Sequence, residues 1–317
     1  MDTRDFGRLG RVSALTLGGG GIAGVWGKTD RAEAVATIRA ALDAGITMLD
    51  LAPAYGADAE SERAAGEALR PADDVMITTK VLLPDDTERD FEGRIRRSLA
   101  ASLSRIGRDH LDLFLLHTQL RPRDGSPPGT NHIGWDAYRE SVLPVFARLV
   151  DEGLIRGWGI TAIGHPASVL DALREAPRPD AAQIVVNALD MPGDLWGFEG
   201  VAPENPALLA TAGANGVAVI GIRAVAAGSL TAELDRSVPA DHPAAVDFAR
   251  AEPFRKLAAS FGETPAALAH RYALSAPGVA TVVLGVKNRA ELAECVAAEA
   301  RGPLSATEMA AVEALRS

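Results

Sequence analysis

The chain of 317 residues is long enough for one large α/β barrel or for two ordinary domains. Its 42 acidic and 32 basic side chains leave a net charge of −10, which disfavours binding to nucleic acid and to anionic membrane surfaces. The single cysteine excludes an internal disulfide and a thiolate metal cluster, and the six histidines lack the spacing of a metal site. Without an apolar signal segment or a long apolar run, we expect a cytoplasmic protein.

Short β-branched runs alternate with longer helical stretches along the whole chain. The candidate strands are residues 14–19, 46–51, 75–79, 111–116, 155–160, 181–186, 217–222 and 279–284. Eight parallel strands are the number that closes a barrel, so the pattern predicts a single (β/α)8 TIM barrel domain over residues 1–317. Before the first strand, residues 6–9 and 11–13 around Gly10 predict a small β-hairpin that plugs the barrel.

Local signals also place helices and loops between these strands. Asp30 and Glu33 form a capping-box pattern for a helix that ends at Gly45, and residues 91–107 predict another helix. The two longest loops, 118–136 and 188–203, follow strands, and loops of this length in a compact domain often cover binding sites.

Each of these long loops contains a tryptophan, Trp135 in the first and Trp196 in the second. We expect one or both to wall a substrate pocket. The alternative is that they only pack at the surface.

The run "GGGGIAG" formally matches the dinucleotide-binding fingerprint through Gly19, Gly21 and Gly24. The fingerprint must open a helix, whereas here the next helix begins only after Asp30. The sequence therefore favours a turn near a ligand, or a plain turn, over a Rossmann domain.

Polar residues end three successive predicted strands: Asp50, Lys80 and His117, with Tyr55 in the loop just after Asp50. The carboxyl ends of barrel strands meet at one mouth, where barrel enzymes carry their chemistry. Any one of these residues alone has an ordinary structural explanation. Together, on successive units, they predict a catalytic site.

The chemistry of this group follows from charge. An ammonium on Lys80 favours the phenolate of Tyr55 and is expected to lower its pKa, while Asp50 keeps the buried ammonium charged. His117 can donate a hydrogen bond to a substrate oxygen. A proton donor without a metal or a nucleophile suits carbonyl reduction, for which a cofactor must supply the hydride.

Several segments together resemble the aldo-keto reductase superfamily, and the resemblance covers nearly the whole chain. The segments are "DLAPAYG", "SERAAGEALR", "ITTK", "SLAASLSRIGRDHLDLFLLH", "GLIRGWGIT", "QIVVN" and "VLGVKNRAELAEC". The first two lean toward the bacterial branch that resembles aldose and pyridoxal dehydrogenases. The resemblance implies a (β/α)8 barrel, a nicotinamide cofactor, and Tyr55 as general acid with Asp50, Lys80 and His117 as partners.

The resemblance also implies how the cofactor is held. Gln183 would hydrogen-bond the nicotinamide carboxamide, and Gly20 would lie near the cofactor. Thr161-Ala162 replaces the usual Ser-Asn pair, so a hydroxyl remains and an amide is lost. The residues expected at the cofactor are Gly20, Asp50, Thr161, Gln183, Ile222, Arg223, Gly285, Lys287 and Arg289.

Ile222 stands where the family usually has a tyrosine that stacks on the nicotinamide, and Arg223 follows it in place of the usual serine. An isoleucine can still contact the ring by dispersion, without aromatic stacking.

The segment "GVKNRAEL" after the eighth strand predicts the cofactor's phosphate site, since the following helix N-terminus and the cations of Lys287 and Arg289 favour an anion. Gly285 and Glu291 occupy positions where other branches carry lysine and arginine. The segment favours NADP(H), with NAD(H) possible; the alternative is a solvated basic turn.

Two other functions remain open. One is a barrel that binds the nicotinamide cofactor as a redox sensor or regulatory subunit, and the other is a lyase or isomerase that forms a Schiff base on Lys80. The expected partner is a small-molecule carbonyl or alcohol, with no nucleic acid and no membrane. The sequence does not predict the substrate, the direction of reaction or the oligomeric state.

Overall fold

The computed structural model describes residues 1–124, 130–191 and 193–316. Its strands are β1 (Thr3–Asp5), β2 (Arg11–Ser13), β3 (Leu15–Gly18), β4 (Met48–Asp50), β5 (Met76–Val81), β6 (Leu111–Leu116), β7 (Gln119–Arg121), β8 (His132–Gly134), β9 (Ile155–Thr161), β10 (Ala181–Val185), β11 (Ala218–Ile222) and β12 (Val279–Leu284). Its helices are α1 (Gly19–Ile22), α2 (Arg31–Asp43), α3 (Glu60–Ala68), α4 (Phe91–Ile106), α5 (Trp135–Ala137), α6 (Leu143–Asp151), α7 (Pro166–Arg174), α8 (Asn205–Ala214), α9 (Pro243–Arg250), α10 (Glu252–Ser260), α11 (Pro265–Ser275), α12 (Arg289–Ala300) and α13 (Ala306–Glu313). None of the helices in these ranges is long and apolar enough to cross a membrane.

Eight of the described strands close a parallel barrel in the order β10-β11-β12-β3-β4-β5-β6-β9. This arrangement confirms the predicted (β/α)8 barrel. The bounds of β6 and β12 are those predicted, and the other barrel strands differ by one or two residues at one or both ends. Because β5 extends to Val81, Lys80 lies one residue inside the strand rather than at its end.

The barrel has an inner and an outer apolar layer. Inside, Met48, Leu113, Leu115 and Ile220 belong to one apolar cluster contributed by strands β4, β6 and β11. Between the strands and the surrounding helices lies a larger layer rich in leucine, isoleucine and valine. The inner layer fills the barrel, so the site forms at its mouth rather than in a pore.

The N-terminal hairpin is present, but its first strand differs from the prediction. β1 pairs with β2 in antiparallel register, Thr3 opposite Ser13, whereas residues 7–9 of the predicted strand form a 3₁₀ turn. Gly7 and Gly10 have positive φ angles of 62° and 102°, which end extended structure there. Phe6 is 1% exposed and belongs to the inner layer of the barrel, as a plug requires.

Helix α2 begins as the sequence predicts, with the Asp30 carboxylate accepting the Glu33 N–H at 2.9 Å. The prediction of a full capping box is wrong, because the Glu33 carboxylate accepts hydrogen bonds from Arg289 instead of from the main chain at Asp30. Helix α4 ends at Gly107, whose φ of 73° places it in the left-handed region.

The glycine run forms one helical turn, α1, and the long helix α2 begins only at Arg31. This supports the rejection of a Rossmann domain. A Cβ on Gly21 would lie 2.1 Å from the carbonyl oxygen of Val286, so glycine here allows the segments after β3 and β12 to touch.

The two long loops contact each other above the barrel. Predicted loop 118–136 contains β7 and β8, which pair in parallel, and its residues 125–129 lie outside the described part of the chain, as does Pro192 in the other loop. The Gln119 side-chain amide donates to the Leu195 carbonyl at 3.1 Å, and the rings of His132 and Phe198 stack with centroids 5.2 Å apart.

Candidate active site

The four predicted catalytic side chains come together at the carboxyl ends of neighbouring strands. Asp50 ends β4, Lys80 is the last residue but one of β5, and His117 follows β6. Tyr55 lies in the loop after β4, where its N–H donates to the Ala52 carbonyl at 3.1 Å. β4, β5 and β6 are adjacent in the barrel, so their ends share one part of the mouth.

Asp50 and Lys80 form a buried ion pair. The Lys80 Nζ lies 2.9 Å from Asp50 Oδ2 and 2.9 Å from the Leu51 carbonyl oxygen, and the two side chains are only 3% and 0% exposed. Burial alone would lower the pKa of Lys80, but the charges of Asp50 and Tyr55 and the hydrogen bonds to them together outweigh burial, so the pKa is raised. The ammonium therefore stays charged.

Tyr55 lies over this ammonium, with the Lys80 Nζ 4.5 Å from the centroid of the phenol ring. Burial raises the pKa of Tyr55; the charge of Lys80 opposes that rise and the charge of Asp50 adds to it, and the net pKa is above the ordinary value. The expected lowering is thus wrong in its net direction, because burial outweighs Lys80. At neutral pH the phenol keeps its proton, as a proton donor must.

His117 faces Tyr55 edge-on, with ring centroids 5.7 Å apart and planes at 89°. Its main-chain N–H donates to the Val81 carbonyl at 2.8 Å, which fixes the residue just beyond β6. Burial, helped by the charge of Lys80, lowers the pKa of His117 to about 3. The imidazole is therefore neutral over the physiological range and has one N–H to donate.

Gln183 and Thr161 add a contact that the sequence did not predict. The Gln183 Nε2 donates to Asp50 Oδ1 at 2.8 Å, and the Thr161 hydroxyl donates to Gln183 Oε1 at 3.2 Å. Thr161 is 6% exposed and Gln183 is 2% exposed. No sequence motif signals the bond between Gln183 and Asp50, because it joins strands that are not neighbours in the barrel.

A cavity of about 500 Å³ leads from these residues to the ends of β11 and β12. The predicted site residues among those that line it are Gly20, Asp50, Tyr55, His117, Thr161, Gln183, Ile222, Arg223, Gly285 and Lys287. Lys80 lies beneath this surface, fully buried.

Trp26, which the sequence analysis missed, covers part of this cavity. A Cβ on Gly20 would lie 3.2 Å from its Nε1, and one on Gly285 would lie 3.4 Å from its ring. The Arg236 guanidinium lies 5.8 Å from the centroid of the indole on the cavity side. The two glycines therefore let the indole lie close against the main chain, and only the position of Trp26 after the glycine run could have suggested its role.

Lys287, which lines the cavity after β12, is already paired with acids. Its Nζ contacts Asp235, and it lies 3.1 Å from Glu291 Oε1. Burial alone would lower the pKa of Lys287, and the two carboxylates raise it above the ordinary value. Lys287 is thus a charged group at the cavity, although part of its charge is offset.

Arg289, the second expected phosphate contact, points elsewhere. Its Nη2 and Nε lie 2.9 and 3.1 Å from the Glu33 carboxylate of α2, and the side chain is 60% exposed. It is absent from the described cavity lining. This ion pair on the outer surface replaces the expected role.

The two predicted substrate-binding tryptophans also lie away from the described cavity lining. Trp135 begins α5 and packs on Tyr138, with ring centroids 5.6 Å apart. The Trp196 indole N–H is used within its own loop, at 2.8 Å from the Val201 carbonyl oxygen. Leu195, next to Trp196, lines the cavity instead and is 42% exposed.

Within the described ranges, no group of three or more histidine, cysteine, aspartate or glutamate side chains is arranged to hold a metal ion. The mouth itself carries a buried ion pair, a phenol and a neutral imidazole.

Comparison with known proteins places this site in a family. The model of the aldo/keto reductase family matches residues 14–317, and the chain belongs to that family. Membership confirms the class of enzyme that the sequence predicts, a nicotinamide-dependent oxidoreductase.

Three known proteins are similar to the chain. Aldo-keto reductase YhdN of Bacillus subtilis is 39% identical over 114 residues, which are 33% of this chain and 34% of that protein, so the match spans about a third of its length. L-galactose dehydrogenase of Arabidopsis thaliana is 26% identical over 94% of this chain and 88% of its own length. The structure of an aldo-keto reductase from Klebsiella pneumoniae in complex with NADPH has a TM-score of 0.69 at 23% identity, covering all of this chain and 96% of that one, and shows the shared fold.

Proposed function

We propose that the protein transfers hydride between a nicotinamide cofactor and an aldehyde or ketone, or the corresponding alcohol, with Tyr55 as general acid and base. The observation that carries the proposal is the buried Asp50–Lys80 ion pair beneath the phenol ring of Tyr55, with the neutral His117 beside it. The substrate is a small carbonyl or a sugar-like alcohol.

In the reducing direction, Tyr55 donates its phenolic proton to the carbonyl oxygen. The phenolate that remains is stabilised by the Lys80 ammonium, which lies 4.5 Å from the ring centroid. His117, as a neutral imidazole, donates its N–H to the same substrate oxygen and orients it. In the oxidising direction the phenolate takes the proton back from the alcohol. A bound nicotinamide cofactor supplies or accepts the hydride.

The cavity fits such a cofactor. Gly20 and Gly285 line it without side chains, next to the Trp26 indole that covers part of it. Gln183 and Thr161 offer polar atoms near the reacting end, and Ile222 offers an apolar surface there.

NADP(H) is the cofactor we favour, with NAD(H) possible. Lys287 is a charged ammonium in the cavity lining, next to the N-terminus of α12, and both favour an added phosphate. The Klebsiella pneumoniae relative, similar in fold, binds NADPH. The carboxylates of Asp235 and Glu291 offset part of this preference.

The Schiff-base alternative on Lys80 has less support. A Schiff base forms from a neutral amine, whereas Lys80 is fully buried against a carboxylate that raises its pKa. Only an experiment distinguishes a redox sensor, which binds the cofactor without turnover, from an enzyme.

The test is to mix the purified protein with NADPH or NADH and a panel of aldehydes, ketones and alcohols, and to follow the absorbance of the cofactor. We expect substrate-dependent oxidation or reduction of the cofactor. Tight cofactor binding without turnover on any substrate would instead support the sensor, and borohydride trapping of an adduct on Lys80 would support the Schiff base.

A further inference from the structure

The Asp50 carboxylate is held from two opposite sides of the barrel. Lys80 on the neighbouring strand β5 donates a hydrogen bond to Asp50 Oδ2 at 2.9 Å, and Gln183 on β10 donates one to Asp50 Oδ1 at 2.8 Å. In the closed order of strands, β10 lies four places from β4, directly across the barrel. The bond from Gln183 therefore spans the barrel mouth.

The chemistry of the groups fixes the direction of these bonds. A carboxylate only accepts, so the amide nitrogen of Gln183 must face Asp50 and its oxygen must face Thr161. The Thr161 hydroxyl donates to that oxygen at 3.2 Å, and the two residues are register partners on adjacent strands β9 and β10. Thr161 thus holds the Gln183 amide in the one orientation that lets it donate to Asp50.

We infer that Gln183 is a positioning residue for the proton-transfer group: it orients the Asp50 carboxylate toward Lys80, and Thr161 orients Gln183. This inference rests on the proposed function and adds to it. A buried carboxylate needs donors on both oxygens, and Asp50 is 2% exposed. Without Gln183, one oxygen loses its donor and the carboxylate is free to rotate away from the ammonium beneath Tyr55.

This role is compatible with a contact between Gln183 and the cofactor. The amide has a second N–H and a second lone pair beyond those used by Asp50 and Thr161. One side chain can therefore hold the Asp50 carboxylate and face the nicotinamide. The two roles predict different losses, because a cofactor contact governs affinity while a positioning contact governs turnover with bound cofactor.

The test compares Gln183→Leu and Gln183→Glu with the parent protein, measuring kcat at saturating cofactor against pH and, separately, the affinity for NADPH. We expect Gln183→Leu to lower kcat by about tenfold to a hundredfold, the effect of losing a hydrogen bond to a charged group. Gln183→Glu places a second carboxylate against Asp50, and the two must share a proton. Its kcat should therefore fall as pH rises, over a range in which the parent is flat.

Lys80 and Tyr55 interact electrostatically with Asp50, and His117 interacts with Lys80. These three titratable groups all remain in the Gln183 variants. Two variants of Thr161 supply a second test if Gln183 variants fold poorly. Thr161→Val should lower kcat, whereas Thr161→Ser, which keeps the hydroxyl, should have a kcat close to that of the parent. Lower cofactor affinity with parental kcat and a parental pH profile in every variant would overturn the inference.

A readout without turnover separates this inference from the proposed function. In Gln183→Glu the free energy of unfolding should fall with rising pH more steeply than in the parent or in Gln183→Leu, since the shared proton is lost. A parent with no turnover would contradict the proposed function, whereas equal pH slopes in the three proteins would contradict the positioning of Asp50.

Discussion

The state of Tyr55 results from three competing contributions to the pKa of its phenol. Burial raises the pKa, the Lys80 charge lowers it and the Asp50 charge raises it. A phenol that stays protonated suits the reducing direction, because an alkoxide is a stronger base than a phenolate and takes the proton readily. The Lys80 ammonium then becomes important after transfer, when a negative charge forms on Tyr55.

At the cofactor's far end, a single residue can be tested. We predict that Lys287→Ala weakens NADP(H) binding by about one to two decades and NAD(H) binding far less, since a hydrogen bond to a charged group contributes about 1.5–3 kcal/mol. Glu291→Gln should strengthen NADP(H) binding, because it removes a negative charge 3.1 Å from the Lys287 Nζ. Fluorescence titration of each cofactor measures both changes.

Arg289→Ala is the matched control, because Arg289 is a cation on the same segment that pairs with Glu33 outside the cavity. It should leave both affinities close to those of the parent. Equal losses of NADP(H) and NAD(H) in Lys287→Ala, or a selective loss in Arg289→Ala, would show that Lys287 does not read the phosphate.

At the residue scale, the sequence could predict which side chains meet but not how each one behaves. Asp50, Lys80 and His117 could be brought together because parallel strand ends share one mouth. The net pKa of Tyr55 and the bond from Gln183 could not be predicted, since they depend on burial and on contacts across the barrel.

At the scale of elements, the loops after β6 and β10 form one wall through the bond from Gln119 to Leu195 and the stacking of His132 on Phe198. Leu195 is the residue of this wall that reaches the cavity. A loop that is held by its neighbour presents this side chain in a fixed position, which favours a role in selecting the substrate.

We predict that Leu195→Ser raises KM for apolar carbonyl substrates severalfold while leaving cofactor affinity unchanged, because it removes apolar surface that would otherwise be buried against the substrate. Trp196→Phe is the control, since its indole bonds within its own loop and is absent from the described lining. Steady-state kinetics across several substrates measure the effect. If Leu195→Ser kept the parental KM on every substrate, this loop would have no role in selecting the substrate.

Element boundaries were predictable where apolar runs end at turn residues, as for β6 and β12. The hairpin forms, but its first strand was misplaced because the apolar Phe6 and Leu9 suggested a strand, while the positive φ of Gly7 and Gly10 required a turn. The tryptophans were misassigned because a loop's position does not reveal which of its side chains faces inward.

At the scale of the whole molecule, the barrel keeps His117 neutral, and this links folding to pH. The pKa of His117 is about 3 in the native state, well below that of an unfolded histidine. Below about pH 6.5 the unfolded chain therefore binds a proton that the native protein does not, so stability is present at neutral pH and is lost as pH falls toward 3.

We predict that the free energy of unfolding falls by about 2 kcal/mol between pH 7 and pH 5 because of His117 alone. His270, which is buried with a lowered pKa, adds to the same trend. Denaturant unfolding at the two pH values measures the fall. His117→Gln should reduce the fall by about the His117 contribution, and an unchanged difference in that variant would contradict the assignment of a neutral His117.

The overall architecture was predictable because eight short apolar strands alternating with amphipathic helices leave few closed arrangements. The residues that line the cavity were harder to predict from the sequence. Trp26, Asp235 and Arg236 reach it from loops, and nothing in their local sequence indicates how those loops fold back over the barrel mouth.

The central claim is that Tyr55 transfers the proton, and Tyr55→Phe tests it most directly because the change removes one hydroxyl and keeps the ring over Lys80. Turnover of a carbonyl substrate and cofactor affinity should be measured on the same preparations. The account predicts that turnover falls by a factor on the order of a hundred or more while cofactor affinity stays close to that of the parent. A Tyr55→Phe protein that keeps most of the parental turnover would contradict it.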